Sequence, residues 1–232
     1  MAELVKIPVS NTEYQAYFER PCISFIGDGR QKAFEAVLTA LLHFNLRLEN
    51  TEIVTTGTLA DHKVIFRIPE RGIRFQFGAE EYRFSKDYAS WATIEDDGQI
   101  FLAAEHALME GSSAEVKSCT VTVAMHLQPL TKLREEILAP FFPEPYKALM
   151  TQRPAQTYGH HIRWADGYVL LDFSVGFANG IFLRFSSYFN GHPPLPEVLA
   201  GVYATDHPTC RRDAPCKCST QSVAASMCMR RR

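Results

Sequence analysis

The chain has 232 residues, of which 46% are hydrophobic and 22% charged, as is ordinary for one sizeable globular domain or two small ones. The formal net charge of −2 argues against a globally basic nucleic-acid binder, because phosphate contacts need an excess of Lys and Arg. With 16 Phe and 9 Tyr against 6 Met, the aromatic content favours a sheet-rich fold over an all-helical bundle.

The sequence carries no targeting or membrane signal. Its amino terminus lacks a basic segment followed by an apolar one, and no run approaches the roughly 18 apolar residues of a membrane span. Cys22 and Cys119 lie in apolar surroundings, which is typical of small core residues in a reducing compartment. We therefore predict a cytoplasmic protein without a membrane partner.

The first elements are a strand region and a helix. Segment 14–26 is rich in aromatic and β-branched residues but is interrupted by Arg20-Pro21, which favours two short strands or a kinked edge strand. Apolar residues then recur at helical spacing over 30–46, and Asp28 is a candidate N-cap. This pattern predicts the first main helix.

A hairpin is predicted at the centre of the chain. Apolar and polar residues alternate along 62–68 and again along 73–77, so that each strand has one apolar and one polar face. The intervening 69–72 turn contains Pro and Gly, which favour a tight reversal. The two apolar faces should therefore lie side by side, and another element must pack on them to exclude water.

The second main helix, predicted over 89–111, is expected to pack on the apolar side of this hairpin. Apolar residues from Trp91 to Met109 recur near helical spacing. Asp96-Asp97-Gly98 is a turn signal inside this run, although Gly in a helix costs only about 1 kcal/mol relative to Ala. One bent helix and two helical pieces both remain open.

The later part of the chain is predicted as strand, short helix and a three-stranded meander. Segment 116–127 alternates like a half-buried strand, and a short helix follows at 131–139. Strands at 157–164, 168–177 and 181–188 are joined by turns that contain Asp-Gly and Asn-Gly, which favour antiparallel hairpins.

These elements predict an α+β domain over 1–204, with possible halves 14–127 and 128–204. We expect antiparallel sheet with two main helices packed on one face. Residues 205–232 contain few apolar residues able to join a core, so we predict a disordered, Cys- and Arg-bearing tail.

The order of elements resembles that of a known family. The features that carry the likeness are Val64 to Phe77, the Tyr88-x-x-Trp91 pair opening a long helix, strand 116–127 with the short helix after it, and the late hairpin. Together they resemble a sporadically distributed family of uncharacterised bacterial proteins of about this length. The resemblance implies an α+β fold and no assigned activity, so it supplies no catalytic residue. Members continue with an amphipathic helix after the last hairpin, where this chain has its Cys- and Arg-bearing tail.

His160-His161, with Asp166 and Asp172 nearby, is the first candidate for a metal or acid/base site. Adjacent histidines on a strand point to opposite faces, so both cannot hold one ion without a third group from elsewhere. The alternative is that both are partly exposed strand residues without a chemical role.

Two carboxylate clusters, Glu80-Glu81 and Glu95-Asp96-Asp97, have a similar double interpretation. Paired carboxylates in a cleft can act as acid and base when their environments separate their pKa values. Acidic residues in a first helical turn also simply interact favourably with the helix dipole.

The tail cysteines are a further metal candidate. Cys210, Cys216, Cys218 and Cys228 have Cys-x5-Cys-x-Cys-x9-Cys spacing, whereas structural zinc sites use two closely spaced cysteine pairs. A plain basic tail fits the same residues, and we assign no metal and no cofactor.

The leading functional hypothesis is a non-enzymatic binding or interaction protein, either a monomer or a homo-oligomer. Its protein or small-molecule partner would meet the sheet or its aromatic residues, and the contact candidates are Tyr82, Phe84, Tyr88 and Trp91. Aromatic residues at this spacing also occur in cores. The competing hypothesis is a metal-dependent hydrolase that uses His160 or His161 with a carboxylate.

Overall fold

Antiparallel strand pairs and helices build the chain, so the predicted α+β class is confirmed. The computed structural model describes residues 3–55, 57–58, 61–88, 93–110, 112, 114–141, 159–192 and 217–218. The strands are β1 (Glu3–Phe18), β2 (Thr51–Val54), β3 (Lys63–Ile68), β4 (Ile73–Gly78), β5 (Glu81–Asp87), β6 (Val116–Pro129), β7 (Gly159–Trp164), β8 (Gly167–Phe173), β9 (Ile181–Asn190) and β10 (Lys217–Cys218). The α-helices of the described residues are α1 (Asp28–Leu42), α2 (Ile94–Met109) and α3 (Arg134–Leu138). None of these helices combines the length and apolar character that a membrane span needs.

The chain divides into two units. The larger unit comprises 11–123 and 186–200, and the smaller unit comprises 1–10, 124–185 and 201–232. Strands β1, β6 and β9 contribute residues to both. The hydrogen-bonded strand order is β2-β3-β4-β5-β1-β6-β9 in the larger unit and β6-β9-β8-β7 in the smaller one. The single domain with possible halves 14–127 and 128–204 stays a prediction.

One face of the larger unit's sheet is aromatic, because the strand register aligns aromatic residues across four strands. Phe66 lies opposite Phe75, Phe75 opposite Phe84, and Phe84 opposite Tyr14. All four side chains are at most 5% exposed. Residues directly opposite each other share a face, so this row forms the floor of the core.

Both main helices cover that aromatic face. Phe34 of α1 stacks on Phe66 with ring centroids 5.5 Å apart. Phe101 of α2 meets Tyr14 and Phe84 edge to face, with both centroid distances 5.1 Å. Such aromatic pairs contribute roughly 0.5–1.5 kcal/mol each beyond the area they bury.

The central hairpin forms as the alternation predicts. β3 and β4 pair from Lys63 opposite Gly78 to Ile68 opposite Ile73. A 3-10 turn at Pro69–Arg71 joins them, and Gly72 ends it in the left-handed region with φ +62°. Gly adopts this conformation without the steric cost that a Cβ imposes.

The first strand departs from the prediction of two short strands or a kinked edge strand. β1 is one strand of 16 residues that begins at Glu3, and it lies between β5 and β6. Arg20-Pro21 falls after its last residue, so the proline interrupts no ladder hydrogen bond. The strand is therefore interior, not at an edge.

The two main helices form close to their predicted ranges. α1 begins at Asp28 and ends at Leu42, after which Asn45 takes φ +69°. α2 runs unbroken through Gly98, so the single-helix alternative is correct. Residues 89–92 of the predicted second helix lie outside the described residues.

The smaller unit contains the predicted meander of three strands. β7 and β8 pair antiparallel from Gly159 opposite Asp172 to Trp164 opposite Gly167, and β9 borders β8. β8 ends at Phe173, however, short of the predicted end at 177, and Val175 beyond it is 88% exposed. A core of Leu138, Phe173 and Ile181 joins α3 to this meander.

Asn179 anchors the connection between β8 and β9. Its Oδ1 accepts a hydrogen bond from the Arg134 backbone N–H at 2.7 Å, and its Nδ2 donates to the Lys132 carbonyl at 3.0 Å. Asn179 has φ +56°, a conformation that Asn tolerates better than most residues. The loop is thereby attached to the start of α3.

The predicted disordered tail, 205–232, lies outside the described residues except at β10. Lys217 and Cys218 pair there with Leu4 and Glu3. Cys210, Cys216 and Cys228, which belong to the tail's zinc hypothesis, are likewise outside the described part of the chain.

Candidate functional site

The polar face of the larger unit's sheet holds a cavity of about 280 Å³. Strand register brings its polar side chains together, since Arg74 lies opposite Ser85 and Gln76 lies opposite Arg83. On the far side of β5, Glu13 lies opposite Ser85 in the neighbouring strand β1. The volume is near the lower end of small-molecule sites, which span roughly 300–1,000 Å³.

Gln76 is the most unusual side chain in this cavity. It is only 9% exposed, and its side-chain amide has no hydrogen-bond partner among the described residues. Ile65, directly opposite on β3, is 3% exposed and offers no polar atom. Its amide nitrogen and oxygen are not among the fully buried polar atoms that lack a partner, so they are open to the cavity and available to a ligand.

Arg83 adds a second unpaired donor. Its Nε is buried and has no hydrogen-bond partner, while its terminal nitrogens lie 3.5 Å from Glu13 and 3.1 Å from Glu81. Gln15 also donates to Glu81. The positive charge of Arg83 is therefore neutralised within the protein, and Nε is left as a hydrogen-bond donor.

The Asp61 carboxylate, also at the cavity, is already engaged. It accepts hydrogen bonds from the Thr58 backbone N–H and from the Thr58 hydroxyl, both at 2.8 Å. The hydroxyl and backbone hydrogen bonds lower the pKa of Asp61. Asp61 Oδ2 therefore caps its own turn, while the carboxylate keeps its negative charge at the cavity.

Lys63 and Arg74 are lining cations without a close ion pair, although Lys63 interacts electrostatically with the neighbouring Asp61. Neither has a carboxylate within 4.0 Å among the residues that the structure describes. By contrast, Arg67 on the same sheet face lies 2.7 Å from Glu52. Glu80 and Asp61 are the lining carboxylates without an ion pair in the described part of the chain.

A separate polar cluster lies on the aromatic side of the same sheet. The Tyr82 hydroxyl donates to Glu105 of α2, and His192 Nε2 lies 2.8 Å from Glu105 Oε1. Tyr82 is fully buried and Glu105 is 7% exposed. The hydrogen bond to Glu105 raises the pKa of His192, which favours the imidazolium beside this buried carboxylate.

Tyr14 and Cys119 border this cluster without adding a reactive group. The Tyr14 hydroxyl is buried with no hydrogen-bond partner in the described chain. Burial raises the pKa of the Cys119 thiol to about 11, so at neutral pH it stays protonated and is a poor nucleophile. The cluster is better suited to holding α2 against the sheet than to chemistry.

The predicted contact residues are placed differently from one another. Tyr82 and Phe84 are 0% and 5% exposed, so they belong to the core and are not available to a surface partner. Tyr88 is 62% exposed and has φ +53°. Trp91 lies outside the described residues. Tyr82 and Phe84 are buried because strand alternation places both side chains on the face that the helices cover.

The predicted histidine pair lies on β7. His160 and His161 are opposite Leu171 and Leu170, and the His161 ring meets Tyr168 edge to face at 5.1 Å. Among the described residues, no three His, Cys, Asp or Glu side chains are placed to share a metal ion. The structure therefore does not bring a carboxylate and a further metal ligand to this pair within that part of the chain.

The second carboxylate cluster lies in the first turn of α2, as its helix-dipole interpretation predicts. Asp97 there is 3.6 Å from Lys86 Nζ, and both side chains are nearly buried. This buried pair was missed from the sequence. The sequence predicts only that Lys63, Arg74 and Gln76 lie on a polar strand face, not that they line a cavity. The signal for the cavity is a Gln at a central position of a buried strand.

Comparison of the sequence with protein-family models and with curated proteins gives no match.

Proposed function

We propose that this is a cytoplasmic, non-enzymatic binding protein that holds a small polar molecule in the cavity on the polar face of β3, β4, β5 and β1. The observation that carries the proposal is Gln76, a residue only 9% exposed that lines the cavity and whose amide has no protein partner among the described residues. A small polar ligand in this cavity could hydrogen-bond to the Gln76 amide, which makes no side-chain bond within the described chain.

The charges around the cavity favour binding over catalysis. Glu13 and Glu81 are paired with Arg83, and Asp61 is bonded to Thr58, so these carboxylates hold the protein's own residues. Acid/base chemistry needs a carboxylate free to exchange a proton with substrate, and among the described lining residues only the exposed Glu80 has no hydrogen-bond or ion-pair partner. Arg74, which has no ion pair in the described chain, supplies a fixed positive charge for recognition.

Thermal unfolding of the purified protein with a library of small polar metabolites tests the proposal. A ligand that binds only the folded state raises the melting temperature in proportion to the logarithm of its concentration above Kd. Gln76→Leu, which keeps a similar volume but removes both hydrogen-bonding groups, should abolish most of the shift. Gln99→Leu, an exposed change on α2, is the matched control and should retain it.

Two results would count against the proposal. One is that no compound in a library of amino acids, organic acids, sugar phosphates and nucleosides shifts the wild-type transition. The other is that every shift persists unchanged in Gln76→Leu, which would place binding outside this cavity. The metal-dependent hydrolase remains a prediction that no contact of His160 or His161 among the described residues favours.

A further inference from the structure

We infer that the cavity takes a short linear zwitterion, namely an unblocked di- or tripeptide, with its carboxylate at Arg74 and its ammonium group at Glu80. This inference rests on the proposed function and specifies its ligand. The observation behind it is that charges of opposite sign, each without an ion pair in the described chain, lie at opposite ends of the cavity.

The two ends of the cavity differ in charge because strand geometry separates Arg74 from the unpaired carboxylates. Arg74 is four residues from Gly78 along β4, which is about 14 Å at roughly 3.4 Å per residue. Glu80 follows Gly78 by two residues, and Asp61 precedes Lys63, the residue opposite Gly78, by two. One end is therefore positive, and the other carries two carboxylates against the single charge of Lys63.

Arg74 is the anion-binding group at the positive end. It has no carboxylate within 4.0 Å among the described residues, whereas Arg67, directly opposite it, lies 2.7 Å from Glu52. Glu13, two strands away, is 3.5 Å from Arg83. A guanidinium presents a fork of N–H donors that matches a carboxylate, so Arg74 is suited to the carboxyl terminus of the ligand.

The middle of the cavity is neutral and can hydrogen-bond. Gln76 lies midway between Arg74 and Gly78 on β4, and its amide makes no hydrogen bond within the described chain. A primary amide both donates and accepts, as a peptide group does. Gln76 therefore matches a peptide bond that lies between the two charged ends of the ligand.

Glu80 is the ammonium-binding group at the negative end. Its side chain is exposed and has no hydrogen bond or ion pair in the part of the chain that the structure describes. Asp61 Oδ2 accepts two hydrogen bonds from Thr58 but keeps its charge, so it adds to the negative potential there. An ammonium group would be attracted to this end, whereas a second anionic group would be repelled.

The distance between the two ends favours a peptide over a single amino acid. Extended residues span about 3.5 Å each, so two or three residues separate the terminal charges by roughly 7–10 Å. The long stem of Arg74 and the shorter one of Glu80 cover the remaining distance. A free α-amino acid carries both charged groups on one carbon atom and would meet only one end.

Isothermal titration calorimetry at low salt tests the assignment with diglycine, triglycine, dialanine and trialanine as probes. For the tightest binder, the N-acetylated peptide lacks the ammonium group, the carboxyl-terminal amide lacks the carboxylate, and the free amino acid lacks the separation between them. We expect each of these comparison compounds to bind at least about tenfold more weakly than the unblocked peptide.

Variants then assign each charge to one end of the ligand. Arg74→Met should weaken the unblocked peptide by about tenfold or more but should not weaken the carboxyl-terminal amide, which has no carboxylate to lose. Glu80→Gln should weaken the unblocked peptide but not the N-acetylated one. Arg47→Met and Glu49→Gln remove the same charges at exposed positions outside the cavity lining, so these matched controls should leave the affinity unchanged. A melting curve for each variant verifies that it is folded.

The ligand assignment and the binding function fail on different results. If no unblocked peptide binds, if the blocked peptides bind as tightly, or if Arg74→Met weakens binding no more than Arg47→Met does, the assignment is overturned. Another compound whose binding Gln76→Leu removes would then still support the proposed function. If neither the peptides nor any other small polar molecule binds, both proposals are overturned.

Discussion

His192 Nε2 lies 2.8 Å from Glu105 Oε1, which connects the residues after β9 to helix α2. The same carboxylate accepts the Tyr82 hydroxyl, and His192 Nε2 is 3.1 Å from that hydroxyl oxygen. Three elements distant in sequence therefore share one buried carboxylate. Because the hydrogen bond to Glu105 raises the pKa of His192 above its ordinary value, this contact makes stability depend on pH.

We expect the His192 contribution to stability to be complete below about pH 6.5, the unfolded pKa of histidine, and to decline as pH rises. Its loss should follow the folded pKa, which the Glu105 hydrogen bond places above the unfolded value. The effect should be below about 1 kcal/mol, because His192 is partly exposed to solvent. Urea unfolding of wild type and His192→Gln between pH 5.5 and 9 measures it.

The difference between those two proteins isolates His192 from other titrating groups. Their unfolding free energies should converge as pH rises through the folded pKa. Parallel curves over the whole range would show that the charged pair with Glu105 does not form. Tyr82 and Cys119 face the same cluster, but burial raises the pKa of each above this window.

Loss of the pair between Lys86 and Asp97 should destabilise the protein more than loss of the His192 contact. The effects of the two single substitutions on the free energy of unfolding should not add. Lys86 also donates to the Arg71 carbonyl, and the two charged atoms lie 3.6 Å apart with side chains 11% and 8% exposed. Lys86→Met should cost about 3 kcal/mol, because it leaves Asp97 buried without a countercharge. Chemical denaturation of the single and double variants provides the measurement.

The double variant Lys86→Met with Asp97→Leu should be more stable than Lys86→Met alone, since no buried charge remains. If instead the two losses simply add, the residues do not interact across the interface between β5 and α2.

Phe84 and Tyr88 are both predicted contact residues, but truncating them to Ala should cost very different amounts of stability. Phe84→Ala should cost about 3–5 kcal/mol, because Phe84 is 5% exposed and packs against Phe101. Tyr88→Ala should change stability by less than about 0.5 kcal/mol, since its side chain is 62% exposed. Equal losses in thermal unfolding would contradict the placement of these side chains.

Two glycines form a further contrast. Gly98 lies inside α2 with open space around its Cβ position, so Gly98→Ala should stabilise by about 0.5–1 kcal/mol. Gly72 has φ +62°, and an added Cβ would meet Asp87 at 3.2 Å. Gly72→Ala should therefore destabilise by about 1–2 kcal/mol. Melting temperatures that move in the same direction would contradict this contrast.

Local patterning predicts much of the fold. The alternation in 62–68 and 73–77, with Pro and Gly between them, was enough to place β3 and β4 in one hairpin. Helix α2 continued across Gly98 because its apolar periodicity outweighed a single unfavourable residue. The long β1 was harder to predict, since only its pairing with β5 and β6 distinguishes an interior strand from a polar lead-in.

The candidate site was less predictable, because it depends on register between strands that are distant in sequence. Alternation shows that Gln76 and Arg83 each face away from the apolar side, but not that they lie opposite one another. Whether Arg83 is paired and Arg74 is not depends on where Glu13 and Glu81 fall. The position of Glu13 relative to Arg83 is set by the pairing of β1 with β5. No local sequence pattern specifies that pairing.

The interior position of β1 has a consequence for biosynthesis. Its residue Tyr17 lies opposite Glu81, so 64 further residues must be synthesised before the first residue of its partner strand β5 exists. At roughly 5–20 residues per second this delay lasts several seconds. During that time both backbone edges of an alternating segment are open, and the nascent chain should depend on chaperones to avoid association through them.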